Sequence, residues 1–199
     1  MVTTRRPRPH GALNRGAILA VARRIADAEG LGELTLRRVA AELDTGQASL
    51  YRHIADRAEL LALLVDDLAA GYPLIEQGHS PTETVTAQWM AIYDYLAAHP
   101  WGAQVIAGGA HHTAAATPIR DRCLSQLRAA GMTAQTATRT YRALWPLVIG
   151  HLLNKHTFSP THDPAGALTP AEFEWAVRNL LAGALKPAQT ARESGLSAH

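Results

Sequence analysis

The stretch Leu34-Thr35-Leu36-Arg37-Arg38-Val39-Ala40-Ala41-Glu42-Leu43, followed by Asp44-Thr45-Gly46 and then Gln47-Ala48-Ser49-Leu50-Tyr51-Arg52-His53-Ile54, decides how the chain is read. Leu36, Val39, Ala40 and Leu43 recur on one helical face, Arg37 and Arg38 fall outside it, and Thr35 stands where an N-cap belongs. Leu50 and Ile54 anchor a second short helix running from Gln47 to His53. Ala40, Ala41 and Ala48 are small enough for two helices to cross closely, as a helix-turn-helix requires. The outward face of the second helix offers Gln47, Ser49, Tyr51, Arg52 and His53, all able to hydrogen-bond and none acidic. Such a face suits the DNA major groove, where Gln pairs with adenine, Arg with guanine, and hydroxyls reach phosphates or base edges.

Working outward, Ile18, Leu19, Ala22, Ile25 and Ala26 keep helical spacing between Asn14 and Glu29, and Gly30 is a C-terminal stop. On the other side Asp56 and Glu59 form a D-x-x-E capping arrangement ahead of Leu60, Leu61, Leu64, Val65 and Leu68. A fourth helix is expected from Arg57 to about Gly71.

From Leu13 to Leu68 the wording, including T-L-R-R-V-A-A-E-L, L-Y-R-H-I and D-R-A-E-L-L, resembles the TetR family of repressors. The resemblance implies DNA contacts from Thr35 and Arg37, base or phosphate contacts from Gln47, Ala48, Ser49, Tyr51 and His53, and a phosphate contact from Arg57. Tyr51 and His53 have packing as the alternative role. Where the family usually has Gly in the turn this chain has Asp44, and Gly46 stands where Ser or Asn often caps the recognition helix. Asp tolerates the left-handed conformation better than most residues and Gly is an acceptable cap, so the turn is expected to survive. The resemblance further implies that residues from about 75 onward form a dimer interface and enclose a pocket for a small-molecule effector.

Charge is placed accordingly. Up to residue 57 there are ten arginines against six acids, and beyond it nine basic against eleven acidic residues. An anionic partner for the N-terminal part, double-stranded operator DNA foremost, fits that asymmetry. Residues 1–12 read as a basic, disordered arm, with Arg5, Arg6 and Arg8 either entering the minor groove or staying solvated. Residues 13–72 read as the DNA-binding domain, 73–186 as the ligand-binding and dimerisation domain, and 187–199 as a disordered tail.

The later chain is helical throughout. Ala, Leu and Arg dominate while β-branched and aromatic residues are sparse, which favours an all-α fold of about nine helices. Gly71-Tyr72-Pro73 opens a linker, Ser80-Pro81-Thr82-Glu83 restarts a helix, Thr117-Pro118 opens another, and Thr133 caps a long one to about His156 that Pro146 must kink. Thr157 to Leu168 reads as a loop, and Thr169-Pro170-Ala171-Glu172 starts the last helix, with Phe173, Val177, Leu180, Leu181 and Ala184 on one side. That stripe, with Thr138, Tyr141, Leu144, Leu147 and Val148 of the long helix, suggests a four-helix homodimer interface, an intramolecular core being the alternative.

Candidate pocket residues are the aromatic and polar groups set among apolar ones: Trp89, Tyr93, Trp101, His111, Trp145, His151 and Asn154. The ten histidines show no H-x-x-x-H on a helical face, so neither a metal nor any other cofactor is expected. There is no G-x-S-x-G, and Cys123 lies on an apolar face, so no catalytic residue is expected. An all-helical enzyme using the His/Trp-lined cavity remains the competing reading. With one cysteine, no signal peptide and no apolar run of roughly 18 residues, a cytoplasmic protein with no membrane partner is expected.

Overall fold

The computed structural model describes residues 13–76, 80–109, 114–154 and 169–185. Those residues form nine α-helices and no strand: α1 (Arg15–Glu29), α2 (Leu36–Glu42), α3 (Gln47–Leu50), α4 (Arg57–Ala70), α5 (Pro81–Ala98), α6 (Pro100–Ala107), α7 (Thr117–Ala129), α8 (Ala134–Leu153) and α9 (Pro170–Leu185), with a short 3-10 turn at Ala114–Ala116. The expected arm, the 187–199 tail, the 157–168 loop and His111 lie outside the described residues.

Helix starts follow the caps written in the sequence. Asn14, Thr35, Asp56, Ser80 and Thr133 each accept a backbone N–H from the first turn of the helix they precede, satisfying donors that have no intrahelical partner. Thr169 and Glu172 exchange bonds reciprocally ahead of α9, Thr169 N–H donating to Glu172 Oε2 at 2.6 Å and Glu172 N–H to Thr169 Oγ1 at 3.3 Å. Gly30 ends α1 at φ 82°, a conformation that costs Gly little.

The linker after α4 is stapled rather than loose. Buried Gln88 of α5 donates to Pro73 O at 2.7 Å and accepts from Ile75 N–H at 2.9 Å, while Gln126 of α7 donates to Ile75 O at 2.8 Å. One hydrophobic cluster runs through the molecule, from Ile18 and Leu50 by way of Leu68 and Tyr72 to Trp89, Leu144 and Leu181. The N-terminal helices are thus tied to the rest through shared core at α4, α5 and α6.

The apolar stripe of α9 is used inside the subunit. Phe173, Val177 and Leu181 are wholly buried, as are Leu144 and Val148 of α8. Tyr93 of α5 stacks on Phe173 with centroids 4.7 Å apart, and His151 of α8 meets both rings edgewise or tilted at 5.5 Å. Periodicity alone could not say which partner that stripe would meet. The opposite side of α9 leaves Trp175 68% exposed.

Candidate functional site

The α2–α3 region is built as a reading head. Leu36, Val39, Ala40, Leu50 and Ile54 are buried, which turns the remaining side chains of these segments outward. Between the helices Asp44 takes φ 51°, so the left-handed turn is made by Asp where Gly is more usual. Gly46 caps α3 in extended conformation without a side-chain bond. The expected helix from Gln47 to His53 is shorter than the spacing suggested. It ends at Leu50, and Tyr51 to His53 continue as a turn, His53 N–H bonding Leu50 O at 2.9 Å. The physical reason is local: Ile54 must return to the core and Asp56 must be extended to cap α4, so the chain leaves the helix early.

Thr35, Arg37, Gln47, Ala48, Tyr51, Arg52 and Arg57 are exposed, and Ser49 and His53 are half-buried. Thr35 Oγ1 is engaged as the α2 cap, accepting from Arg38 N–H at 3.1 Å. Arg52 donates to Ser49 Oγ at 3.1 Å. His53 O accepts from Arg15 Nε at 3.1 Å, which pins the turn after α3 to α1. Arg57 is turned partly inward, donating to Leu34 O at 3.1 Å and Leu31 O at 2.9 Å, so it braces the α1–α2 loop with part of its guanidinium.

The arginines divide by partner. Arg15, Arg23, Arg24 and Arg38 sit in ion pairs with Glu59, Asp67, Glu42 and Glu29 respectively, and Arg38 also reaches Glu42 at 3.1 Å. Hydrogen bonding and charge from Arg24, with Arg38 adding, hold the Glu42 carboxyl below its ordinary range. Among the described residues Arg37, Arg52 and Arg57 have no ion pair. Uncompensated charge therefore remains on the side that carries Gln47 and Tyr51.

A cavity of about 920 Å³ opens between α4, α6, α7 and α8. Val65, Ala69 and Tyr72 form the wall nearest the N-terminal helices; Tyr141, Arg142, Trp145 and Ile149 of α8 face them, and Thr117 and Arg120 supply the first turn of α7. Of the candidates chosen by residue type, Trp145 lines it and the other described ones lie elsewhere. Trp89 is wholly buried behind it, 5.5 Å from the Trp145 ring and 6.1 Å from Tyr141, and Tyr93 belongs to the Phe173 stack. The Trp89 Nε1 and Tyr93 hydroxyl have no hydrogen-bond partner among the described residues. His151 Nε2 donates to Thr169 O at 2.9 Å, joining α8 to α9, and Asn154 donates to Gly150 O at 2.7 Å to close the end of α8. Burial pushes the Cys123 thiol up to about 12, which keeps it protonated. No group of three His, Cys, Asp or Glu able to hold a metal ion occurs among the described residues, and no helix there is long and apolar enough to cross a membrane.

Trp101 sits in a polar seam between the N-terminal helices and the cavity. Its indole N–H donates to Asp27 Oδ1 at 2.5 Å. Arg23 of α1 donates to Asp67 of α4 at 2.8 Å, to the Tyr95 hydroxyl at 3.1 Å and to His99 Nε2 at 3.0 Å. A guanidinium can only donate, so His99 Nε2 accepts, the ring proton sits on Nδ1, and Nδ1–H donates to Asp27 at 2.8 Å. The Tyr95 hydroxyl in turn donates to Leu68 O at 3.1 Å. Rings continue this seam to the cavity wall: Tyr95 to Tyr72 at 5.4 Å, then Tyr72 to Trp145 at 5.9 Å. Apart from Trp101, which was a pocket candidate, the seam residues were not among the sequence candidates, nor were Arg120 and Arg142; the i, i+4 pair Arg23 and Asp27 is the single local hint of them.

The chain matches the family described as bacterial regulatory proteins, tetR family, over residues 18–64, and the tetracyclin repressor-like C-terminal domain over residues 73–193. It is similar to the HTH-type transcriptional repressor DrrR1 of Streptomyces coeruleorubidus, with 30% identity over 178 residues, covering 85% of this chain and 63% of that protein. Among solved structures, ActR of Streptomyces coelicolor in complex with actinorhodin superposes with a TM-score of 0.76 at 25% identity, over 87% of this chain and 97% of that one. BioQ with its natural double-stranded DNA operator shares the fold, with a TM-score of 0.67 at 24% identity over 87% of this chain and 98% of that one.

Proposed function

Because the chain belongs to the TetR family of bacterial regulators, we propose that it represses transcription from a palindromic operator and lets go when a small molecule fills the α4–α8 cavity. The observation that carries the reading is the α2–α3 face, where Gln47, Tyr51, Arg52 and Arg37 stand outward and Glu42 is taken up by Arg24 and Arg38. Gln47 and Arg37 address base edges, Ala48 lies against bases or the sugar-phosphate backbone, and Ser49, Tyr51, Arg52 and His53 bond phosphates or bases. Thr35 and Arg57 meet the backbone at the two ends of the head, Arg57 with the part of its guanidinium that Leu31 and Leu34 leave free. The working form is a homodimer, since two half-sites one helical turn apart need two heads at fixed separation. The α8–α9 side that exposes Leu153 and Trp175 is the surface offered to the partner. With DNA as its target, the protein acts in the cytoplasm.

Release follows from the walls of the cavity. Val65 and Ala69 belong to α4, whose Asp67 and Leu68 hold Arg23 and Tyr95 in the seam, so a ligand that displaces α4 also moves α1 and the head. A ligand shifts the population only by its differential affinity for the two head spacings. Domain limits of 13–72 and 73–186 serve this division of labour, with α4 shared between them.

Fluorescence anisotropy with duplexes from the region upstream of the gene, against shuffled duplexes of equal length, tests the reading. Sequence-dependent binding that weakens steeply with salt is expected. Equal affinity for native and shuffled duplexes would overturn it.

A further inference from the structure

We propose that the cavity selects a planar aromatic anion, a polycyclic carboxylate or phenolate whose negative group lies between Arg120 and Arg142. This rests on the reading of the cavity as the effector site and adds the chemical class of its occupant.

Charge comes first. Two guanidiniums line the cavity, and no Asp or Glu is among its described wall residues. Arg142 has no ion pair among the described residues. Arg120 presents Nε and Nη2 to Asp121 Oδ1, both at 3.0 Å, which leaves Nη1 for a ligand. Thr117 and Arg120 place the first turn of α7 in the same wall, and that turn contains no acid. A helix start carries partial positive charge, so it adds to the field of the arginines. A cationic ligand would be repelled by Arg142 and by the helix start, Asp121 offsetting the charge of Arg120. An anion gains charge-assisted hydrogen bonds, and the planar guanidinium fork matches a carboxylate in particular.

Shape comes second. Tyr72, Tyr141 and Trp145 stand in the wall with Trp145 at 64° to Tyr72 and 83° to Tyr141, at centroid separations of 5.9 and 6.3 Å. A flat ligand that stacks on one of these rings meets the edges of the others, the geometry aromatic quadrupoles prefer. Val65, Ala69, Ile106 and Ile149 make the remaining surface apolar. A volume of about 920 Å³ lies near the top of the roughly 300–1,000 Å³ range of small-molecule sites, which suits three or four fused rings. Burial raises the Tyr72 and Tyr141 phenols above their ordinary range, so both hydroxyls stay protonated and can donate to the anion.

Isothermal titration of the full-length protein with anthraquinone-2-carboxylate, its neutral carboxamide and the cation 9-aminoacridine separates charge from shape. The carboxylate is expected to bind about tenfold tighter than the carboxamide, with the acridine weakest. Arg142→Gln should shrink the carboxylate's advantage, and Arg120→Gln with Arg142→Gln should bring the carboxylate down to the carboxamide's affinity while leaving the carboxamide unchanged. The wild-type preference should shrink as salt rises. A carboxamide or acridine that binds as tightly as the carboxylate, a preference that survives loss of both arginines, or no binding of any probe would overturn the proposal. Operator anisotropy on the same preparations without probe tests the regulator reading separately. A chain that binds its operator but shows no preference for the carboxylate loses this inference alone, and one that prefers the carboxylate but ignores its operator loses the regulator reading.

Discussion

The α2–α3 face and the seam between α1 and α5–α6 use the same residue types in opposite ways. On the face, Arg37, Arg52 and Tyr51 point outward, Tyr51 being 52% exposed, and among the described residues no acid is bonded to either arginine. In the seam, Arg23, Asp27, Asp67, Tyr95, His99 and Trp101 satisfy one another within 3.1 Å. Polar groups left free contribute nothing to folding and keep their hydrogen bonds for a partner. Those that are used up hold helices in register, and breaking them leaves partly buried groups short of partners. The two regions should therefore answer mutation in different measurements.

The largest effect is expected in the seam. Trp101→Ala removes a buried indole and takes one of the two donors from Asp27 Oδ1, and should lower the free energy of unfolding by about 3–5 kcal/mol in a denaturant titration. A loss within experimental error would mean that the seam does not hold the helices. The face behaves in the contrary sense: Gln47→Ala with Tyr51→Ala should weaken operator binding by about a hundredfold to a thousandfold while unfolding stays within about 0.5 kcal/mol of the parent. A double variant that unfolds early but binds normally would reverse the comparison. Tyr95→Phe is intermediate. It deletes one hydroxyl that accepts from Arg23 and donates to Leu68 O, so a stability loss of about 1–2 kcal/mol is expected. The ligand-induced drop in operator affinity should shrink as well, and an unchanged drop would place the transmission elsewhere.

The same contrast explains which parts were readable beforehand. Every residue of the reading head falls within a short run, where period, cap and turn residue report on one another, so the face and the Asp44 turn could be seen from local chemistry. What was missed there was extent, because the early end of α3 is set by where Ile54 and Asp56 must go. The seam joins residues as far apart as Arg23 and His99, 76 positions, and no local pattern announces that. Choosing cavity residues by type found Trp145, but it could not separate a ring in the wall from Trp89 just behind it or from Tyr93 in the Phe173 stack. Arg120 and Arg142 escaped because a helical arginine reads as a solvated face until the neighbouring helices are placed.

The smallest effect concerns the acid that sorts the arginines. Glu42 pairs with Arg24 at 3.0 Å and Arg38 at 3.1 Å, and its carboxyl is held below the ordinary range, chiefly by Arg24. A carboxyl whose folded pKa is depressed contributes stability that is present above its unfolded pKa and lost as pH falls through the folded one. Glu42→Gln should therefore be slightly less stable than the parent at neutral pH, and the two should converge once the solution is acid enough to protonate Glu42 in the folded chain. Being exposed, the pair contributes little to stability, so the more telling consequence is on DNA. Glu42→Gln frees Arg24, while Arg38 keeps its pair with Glu29, and the one cation released beside the head should strengthen binding to shuffled duplexes more than to the operator and steepen the salt dependence. If Glu42→Gln leaves binding to both kinds of duplex the same, the sorting of charges by Glu42 has no part in recognition, and the head reads DNA through Gln47, Tyr51 and its own arginines alone.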